Sequence, residues 1–295
     1  MFWHAVLRVA FSKCISEWFV RLMSELQEVH LGIWDTTLEI VMTYLTAVGD
    51  RNQLYASSEV VPPLFISARV LGSLMKSLDL PSGTIHSLQE IKSLTSVKFG
   101  EKIEGSATVS GSRRRGAVIF TTVDYKVATL HGEIIQTGKT TVLQPLEIED
   151  QDQSNMCESM LESLPTLTMK ITEQQLYDYA DVSQDNNPLH LDKEFAATTS
   201  FGDRIAHGML TLALVYEMLT AHFGLDWIES GSLKVRFKGP AYIGDDLQSY
   251  GTIEKVREEK NSRFIECSVG IINGRDNQEI ITGTAKLHID LGAVS

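Results

Sequence analysis

The sequence predicts an α+β protein in which one structural unit occurs twice, and three observations support this. The run from His207 to Leu219 is apolar and has no helix breaker after Gly208, which predicts a long, mostly buried helix. The two halves of the chain also match each other internally. Strand-like runs bounded by turn-forming residues cover residues 117–127, 133–143, 247–256, 264–272 and 279–289.

The internal matches occur in the same order in both halves and at a near-constant spacing. Asp50 matches Asp185 at a spacing of 135 residues, and the later matches have spacings of about 145 residues. Ordered matches of this kind indicate a duplication. The ten-residue increase in spacing indicates a loop that the first copy lacks. The later matches pair 60–65 with 204–209, 99–101 with 243–245, and Gly138 with Gly283.

A short motif in the second half predicts acid–base chemistry. Residues 184–192 read Gln-Asp-Asn-Asn-Pro-Leu-His-Leu-Asp. Asparagine tolerates turn geometry, and the residue before Pro188 is pushed away from helical geometry, so the chain turns back here. The turn allows the carboxylate of Asp185 and the imidazole of His190 to meet over one water molecule. Together these groups can orient the water and transfer its protons, so both are candidate catalytic residues.

The start of the predicted long helix offers a site for developing negative charge. The first N–H groups of a helix have no partner within the helix, and the positive end of the helix dipole lies there. Gly208 at this position lets a ligand approach the backbone closely. A thioester carbonyl placed against the Gly208 N–H would be polarised as in an oxyanion hole.

Three separate motifs in the second half resemble the MaoC-like dehydratase family, which includes the (R)-specific enoyl-CoA hydratases. The motifs are the stretches 179–192, 201–210 and 237–245, within a likeness that spans roughly residues 168–290. The resemblance implies the hot-dog fold, in which an antiparallel sheet wraps one long helix. With the internal duplication, the expected fold is an α+β double hot-dog.

The resemblance also implies a hydro-lyase that reversibly adds water to a trans-2-enoyl thioester to give a (3R)-hydroxyacyl thioester. Asp185 and His190 would hold and activate the water, and the Gly208 N–H would bind the thioester oxygen. His207 and Met209, beside this glycine, are expected to contact the substrate. We expect an acyl-CoA or acyl-carrier-protein thioester as the substrate and a homodimer as the assembly.

No cofactor or metal is expected. Asp185, His190 and Asp192 have side chains that can ligate metals, but no further His or Cys stands at metal-site spacing, and the resemblance implies no metal. Two positions depart from the family pattern, which usually has Gly where Gln184 stands and often has Pro where Arg204 stands. Both departures concern the geometry of the loops around the site.

The first copy is predicted to be inactive. Tyr55 stands where the second copy has His190, and Pro62 and Pro63 stand where it has His207 and Gly208. Proline has no backbone N–H, so this helix start lacks the donors of an anion site. The resemblance suggests that such a degenerate half shapes the acyl pocket, and we expect one active site per chain.

Two other function classes are compatible with the same motifs. A hot-dog thioesterase would direct the water to the carbonyl carbon instead of the β-carbon, and would release free CoA thiol from a saturated acyl-CoA. A non-catalytic acyl-binding subunit of a dehydratase complex would bind thioesters without turnover. The Asp185 and His190 pair argues against a non-catalytic role for the whole chain, whereas the product formed distinguishes hydration from hydrolysis.

Composition is typical of a globular enzyme of about two domains. The chain has 295 residues, 43% of them hydrophobic, and no apolar run of the ~20 residues that a membrane span needs. Its net charge of −12 argues against a nucleic-acid partner. The three cysteines have no Cys-x-x-Cys spacing, which favours a reducing compartment. We expect the cytoplasm, with a mitochondrial location as the alternative because residues 1–30 resemble an amphipathic presequence.

Two basic groups are candidate contacts for CoA phosphates. Lys234, Arg236 and Lys238 alternate in a strand-like stretch, so they share one face; the alternative is a solvated face. The segment 113–115, three arginines beside Gly116, predicts a hairpin turn that could also clamp a phosphate.

The predicted domain organisation has four parts. Residues 1–34 form an amphipathic helical extension, and residues 35–144 form the degenerate first hot-dog. Residues 145–167 form an acidic linker, since 144–167 contains six Asp or Glu and no Lys or Arg. Residues 168–295 form the catalytic hot-dog.

Overall fold

Ten strands form one antiparallel sheet in the computed structural model, which describes residues 28–77, 82–115, 118–145, 162–259 and 261–291. The strand order is β1-β3-β4-β5-β2-β7-β10-β9-β8-β6. The strands are β1 Val29–Asp35, β2 Ile85–Ser93, β3 Lys102–Arg115, β4 Val118–Thr129, β5 Ile134–Pro145, β6 Thr168–Lys170, β7 Ser232–Phe237, β8 Asp246–Glu259, β9 Ser262–Asn273 and β10 Glu279–Asp290.

Helices connect the strands in both halves. The helix that starts at Gly208 is almost wholly buried, as its apolar sequence predicts. The helices are α1 Leu38–Val48, α2 Leu54–Ser58, α3 Pro63–Ser77, α4 Glu173–Ser183, α5 Pro188–Leu191, α6 Lys193–Ala197, α7 Gly208–Phe223 and α8 Leu225–Ser230. Within the described residues no helix has the length and apolar character needed to cross a bilayer.

The fold confirms the internal duplication. The first unit has the order β1-β3-β4-β5-β2 and the second has β6-β8-β9-β10-β7, which is the same order with five added to each number. The helices α3 and α7 begin at Pro63 and Gly208, 145 residues apart. The additional ten residues of the second unit fall between α4 and α7, where α6 has no counterpart in the first unit.

The two units join edge to edge, so the sheet is continuous. Strand β2 pairs with β7 in antiparallel register, with Glu90 opposite Lys234 and Ile91 opposite Leu233. The buried faces of all ten strands pack on α3 and α7 in one hydrophobic core. Because β2 and β7 lie side by side, residues of the first unit reach the helix terminus and loops of the second.

The structure corrects the predicted start of the first unit. Strand β1 lies partly within the segment assigned to the helical extension, and it pairs with β3. Its register shifts between His30 and Gly32, so that Leu31 is the bulged residue and is buried three residues from Trp34. The helical extension was predicted from the apolar pattern of residues 11–26, and its end was placed too far along the chain. The predicted helix before residue 28 lies outside the described residues.

The second unit also begins earlier than predicted. The Leu164 N–H donates to the Gly251 carbonyl at 2.8 Å, and Ser163 forms a bridge with Thr252, so both residues belong to the second sheet edge. We propose units of 29–145 and 163–291; the acidic segment 146–161 lies outside the described residues. The arginine segment is the end of β3, where the Arg113 guanidinium lies 5.0 Å from the centre of the Phe120 ring.

Candidate active site

A pocket of about 240 Å³ lies between the two units and contains the predicted motif residues. Asp185, His190 and Gly208 line it from the second unit. The first unit contributes apolar wall from helix α3 and a polar segment at the start of β2. The first-unit residues on this wall include Leu71, Met75, Thr84 and His86.

Asp185 follows the C-terminal end of α4. Gln184 ends this helix in the left-handed region with φ 64°, which explains why glycine is usual at this position in the family. A left-handed non-glycine residue costs roughly 1–2 kcal/mol. The Ser183 Oγ accepts the Asp185 N–H at 3.2 Å, and the Asp185 Oδ1 accepts the Asn187 N–H at 3.3 Å. These two bonds orient the carboxylate toward the pocket.

Asn187 connects the motif loop to the first unit, a role that the sequence analysis missed. Its Oδ1 accepts the N–H groups of Leu189 and Gly83, each at 3.2 Å. Its Nδ2 donates to the Thr84 carbonyl at 2.9 Å. Gly83 and Thr84 each lie more than one hundred residues from Asn187 in sequence. The loop conformation is therefore determined by both units together.

His190 is fixed in one tautomer by its surroundings. Its Nδ1 lies 2.8 Å from the carbonyl oxygen of Ile205, which can only accept, so Nδ1 carries the proton. The neutral ring therefore has a free lone pair on Nε2. The side chain is 8% exposed and lies on the pocket wall. This nitrogen can accept a proton from a molecule in the pocket.

His207 lies behind the pocket wall and not on it, unlike the predicted substrate contact. It is 1% exposed, and its Nε2 donates to the Asp185 carbonyl at 3.1 Å. Its ring packs against that of His190 at a tilt of 34°, with centroids 3.9 Å apart, and against that of Tyr179 at a tilt of 49°, with centroids 4.8 Å apart. Met209, by contrast, lines the pocket as predicted. His207 thus supports the His190 ring and the Asp185 backbone.

Burial shifts the acid–base properties of the pair in opposite directions. Loss of hydration raises the pKa of Asp185, while the nearby His190 and the Asn187 N–H lower it in part. Loss of hydration lowers the pKa of His190, and Asp185 raises it in part. Burial also lowers the pKa of His207 well below its ordinary value. Both histidines are therefore neutral at physiological pH, and the carboxyl group is a stronger base than an exposed aspartate.

Gly208 is the first residue of α7, as predicted. His207 precedes the helix as its N-cap, and the first intrahelical bond runs from the Thr211 N–H to the His207 carbonyl. The Gly208 N–H is therefore free of intrahelical partners. A Cβ at Gly208 would lie 2.9 Å from Cε1 of Phe237, so only glycine fits here without displacing that ring.

The three predicted basic residues lie in different surroundings. Their side chains share the exposed face of β7 and its continuation, as the alternation predicts. The Lys234 Nζ lies 2.7 Å from the Glu90 Oε1, so its charge is already paired. Lys238 lines the pocket, whereas Lys234 and Arg236 do not.

Three side chains place atoms that can ligate a metal close together. One such atom each from Asp185, His190 and His207 lies within 4.8 Å of the others. One nitrogen of each imidazole, however, already donates to a backbone carbonyl: His190 Nδ1 to Ile205 and His207 Nε2 to Asp185. Asp192 instead caps α6 by accepting the Phe195 N–H at 3.0 Å. The cluster is better suited to acid–base chemistry.

Comparison with known proteins agrees with this geometry. Residues 160–274 match the family model described as MaoC like domain. A mitochondrial 3-hydroxyacyl-acyl-carrier-protein dehydratase of Arabidopsis thaliana is 32% identical over 119 residues, which are 40% of this chain and 70% of that protein. An (R)-specific enoyl-CoA hydratase of Rhodospirillum rubrum is 33% identical over 95 residues, which are 32% of this chain and 66% of that protein.

A solved structure of a MaoC-like dehydratase has a TM-score of 0.71 at 18% identity, and the match covers 90% of this chain and 97% of that one. The fold is that of a double hot-dog protein, and the curated relatives define a hydratase or dehydratase, as predicted. The chain belongs to the MaoC-like dehydratase family.

Proposed function

We propose that the protein reversibly adds water to a trans-2-enoyl thioester to give a (3R)-hydroxyacyl thioester, with Asp185, His190 and Gly208 as its catalytic residues. The R configuration follows the name of the Rhodospirillum rubrum relative. The carrier is CoA or acyl carrier protein, since named relatives act on each. The single observation that carries the proposal is the convergence of a buried carboxylate and a free imidazole nitrogen on the pocket that the α7 terminus faces.

The chemistry follows from this geometry. A water between Asp185 and His190 donates one hydrogen bond to each, and the pair accepts one of its protons as the oxygen attacks the β-carbon. Electrons move through the conjugated system to the thioester oxygen, where the Gly208 N–H stabilises the enolate. The pair then delivers the proton to the α-carbon. Hydroxide adds to one carbon and a proton to the other, so the atoms of one water are fully used.

The names of the relatives support a hydratase or dehydratase over a thioesterase, since they include a dehydratase and an enoyl-CoA hydratase. The pocket brings the candidate base and the candidate anion site together, which both reactions require. A product assay separates the two reactions, since hydrolysis releases a free thiol and hydration does not.

The test uses a panel of short, long and branched enoyl-CoA substrates followed by the ultraviolet absorbance of the enoyl thioester, with thiol release measured in parallel. Wild-type protein is expected to remove the absorbance without thiol release. Asp185→Asn should keep substrate binding and lose about 10²-fold or more in rate, the usual size for an acid–base group. The Asp203→Asn variant, which changes an exposed carboxylate beside the same loop, serves as the control. Unchanged turnover in Asp185→Asn would contradict the proposal.

We also propose a homodimer, which sedimentation of the purified protein tests directly. The compartment stays a prediction, the cytoplasm with the mitochondrion as the alternative. Fractionation of cells that express the full chain decides between them.

A further inference from the structure

Helix α3 of the non-catalytic first unit contacts the C-terminal end of α4, immediately before Asp185. Arg69, Gly72 and Lys76 make these contacts. Spacings of three and four residues place them on one face of the helix. That face therefore meets the three residues that precede the catalytic carboxylate.

The first contact is a charged hydrogen bond at the helix end. The Arg69 Nη1 donates to the Val182 carbonyl at 3.1 Å. Carbonyls in the last turn of a helix lack intrahelical partners and lie at the negative end of the helix dipole. A cation from the other unit thus binds the end of α4.

The second contact is a close backbone approach. A Cβ at Gly72 would lie 2.0 Å from the Ser183 carbonyl oxygen and 3.1 Å from its carbon. Glycine inside a helix is unfavourable relative to alanine, so its place here is explained by this approach. The Ser183 hydroxyl in turn accepts the Asp185 N–H at 3.2 Å. Any displacement of Ser183 therefore moves Asp185.

The third contact involves the left-handed residue of the loop. The Lys76 Nζ donates to the Gln184 Oε1 at 3.0 Å, and the Gln184 Nε2 donates to the Asp181 carbonyl at 2.5 Å. Both polar atoms of the Gln184 side-chain amide therefore form hydrogen bonds. A glycine at this position would have no such connection to the first unit.

The internal duplication supplies a comparison within the molecule. The residue equivalent to Gly72 in the second unit is Glu217, 145 positions later. Its carboxylate accepts the Arg51 N–H at 3.3 Å beside Asp50, the inactive counterpart of Asp185. A full side chain fits on the inactive side, and only a glycine fits on the active side. The two units therefore differ at the contact between this helix and the loop that carries Asp185 or Asp50.

We propose that α3 of the first unit sets the position of Asp185, with Gly72 and Arg69 as positioning residues. The proposal rests on the proposed function, in which Asp185 acts on the water. It assigns the first unit a second role besides forming the pocket wall. Neither residue touches the reacting atoms; both act through the backbone of residues 182–184.

The main test is Gly72→Ala, with Gly111→Ala as the matched control because a Cβ at Gly111 meets no atom within 4 Å. Since a misplacement of about 1 Å can cost 10²-fold, we expect kcat of Gly72→Ala to fall by about 10- to 100-fold with KM within about twofold. The acid limb of the kcat/KM profile should also move to lower pH, because a displaced loop admits water to Asp185. Gly111→Ala should retain wild-type kcat.

A second variant keeps the proposal testable if Gly72→Ala does not fold. Arg69→Met removes the bond to Val182 without adding bulk, and Arg257→Met removes an exposed arginine from β8 as its control. We expect kcat to fall at least fivefold in Arg69→Met and not in Arg257→Met. Folded Gly72→Ala with wild-type kcat, or Arg69→Met with wild-type kcat, overturns the positioning role. A fully active Asp185→Asn would instead overturn the proposed function, so the two failures are distinguishable.

Discussion

The Tyr55 hydroxyl and the Thr220 hydroxyl lie 2.9 Å apart and join the two units across the inactive counterpart of the active site. Tyr55 stands at the position of His190, and Thr220 stands at the position of Met75, which lines the pocket. Both residues are 1% exposed. The tyrosine is therefore buried where the equivalent site has a pocket, which supports the prediction that the first copy is inactive.

The partly buried carboxyl group of Asp50 lowers the stability of the fold by an amount that depends on pH. Burial raises its pKa to about 7 from 3.8, while the Asn52 N–H lowers it in part and Glu217 raises it further. The folded state therefore holds the proton more tightly than the unfolded state between these values. The contribution of Asp50 to stability is therefore greatest below pH ~4 and is lost as pH rises from there through about 7.

Asp50→Asn should remove this cost while keeping an oxygen acceptor for the Asn52 N–H. We expect the variant to gain on the order of 4 kcal/mol in unfolding free energy at pH 8, and little near pH 4, since the pKa rises by about three pKa units and one unit corresponds to about 1.4 kcal/mol. Urea unfolding at several pH values measures this, with Glu133→Gln, an exposed carboxylate, as the control. An equal gain at both pH values would contradict the assignment to Asp50.

The pH dependence of activity should report the buried pair. The base form of Asp185 is needed to accept a proton, and burial raises its pKa. As the pH is lowered, activity should therefore begin to fall at a pH above the value of about 4 expected for an exposed aspartate. At higher pH the activity should be retained. Because burial lowers the pKa of His190, this limb should not reflect an ordinary histidine near pH 6.5. Profiles of kcat/KM in wild type and Asp185→Asn test this; a wild-type limb at pH 4 would contradict it.

Gly208→Ala should displace the anion site, because its Cβ would lie 2.9 Å from the Phe237 ring. We expect kcat to fall by about 10²-fold, the size reported for loss of one oxyanion donor. Combining it with Phe237→Leu should restore part of the rate by making room for the methyl group. A double-mutant cycle measures this recovery, and strictly additive losses would show that the ring contact is irrelevant.

Lys238 and Lys234 should differ in their effect on CoA substrates. Lys238 lines the pocket, whereas Lys234 pairs with Glu90. Lys238→Ala is expected to raise KM for enoyl-CoA by roughly fivefold, as for a lost charged contact of about 1 kcal/mol. KM for an N-acetylcysteamine thioester, which lacks the phosphates, should not change. Equal effects of Lys238→Ala and Lys234→Ala on enoyl-CoA would rule out a specific role for Lys238.

Local patterns were sufficient to predict much of the fold. The strands at residues 117–127, 133–143, 247–256, 264–272 and 279–289 all occur, and seven of their ten ends lie one to three residues beyond the predicted ones. The apolar run after His207 forms the buried helix. These elements were predictable because their side chains alternate or recur with the period of the structure that buries them. Strand β1 was missed because the bulge between His30 and Gly32 disrupts that period.

The candidate site was predictable only where its residues are close in sequence. Asp185 and His190 belong to one turn, and Gly208 begins a helix that the sequence already marks. His207 was placed among the substrate contacts, yet it packs behind the pocket, since residue type does not reveal which side of a wall a ring occupies. Asn187 was missed as the link to Gly83 and Thr84 because its partners lie more than one hundred residues away.

The sequence by itself determined the chemistry of the second unit: a carboxylate and an imidazole on one turn, followed by a glycine at a helix start. Only the tertiary structure decided how the first site is closed and what supports the second. Tyr55 closes one site by bonding to Thr220, and Gly72 permits the close approach that supports the other. The physical reason is that turns and helix ends depend on neighbouring residues, whereas open volume and backbone proximity depend on packing between distant segments.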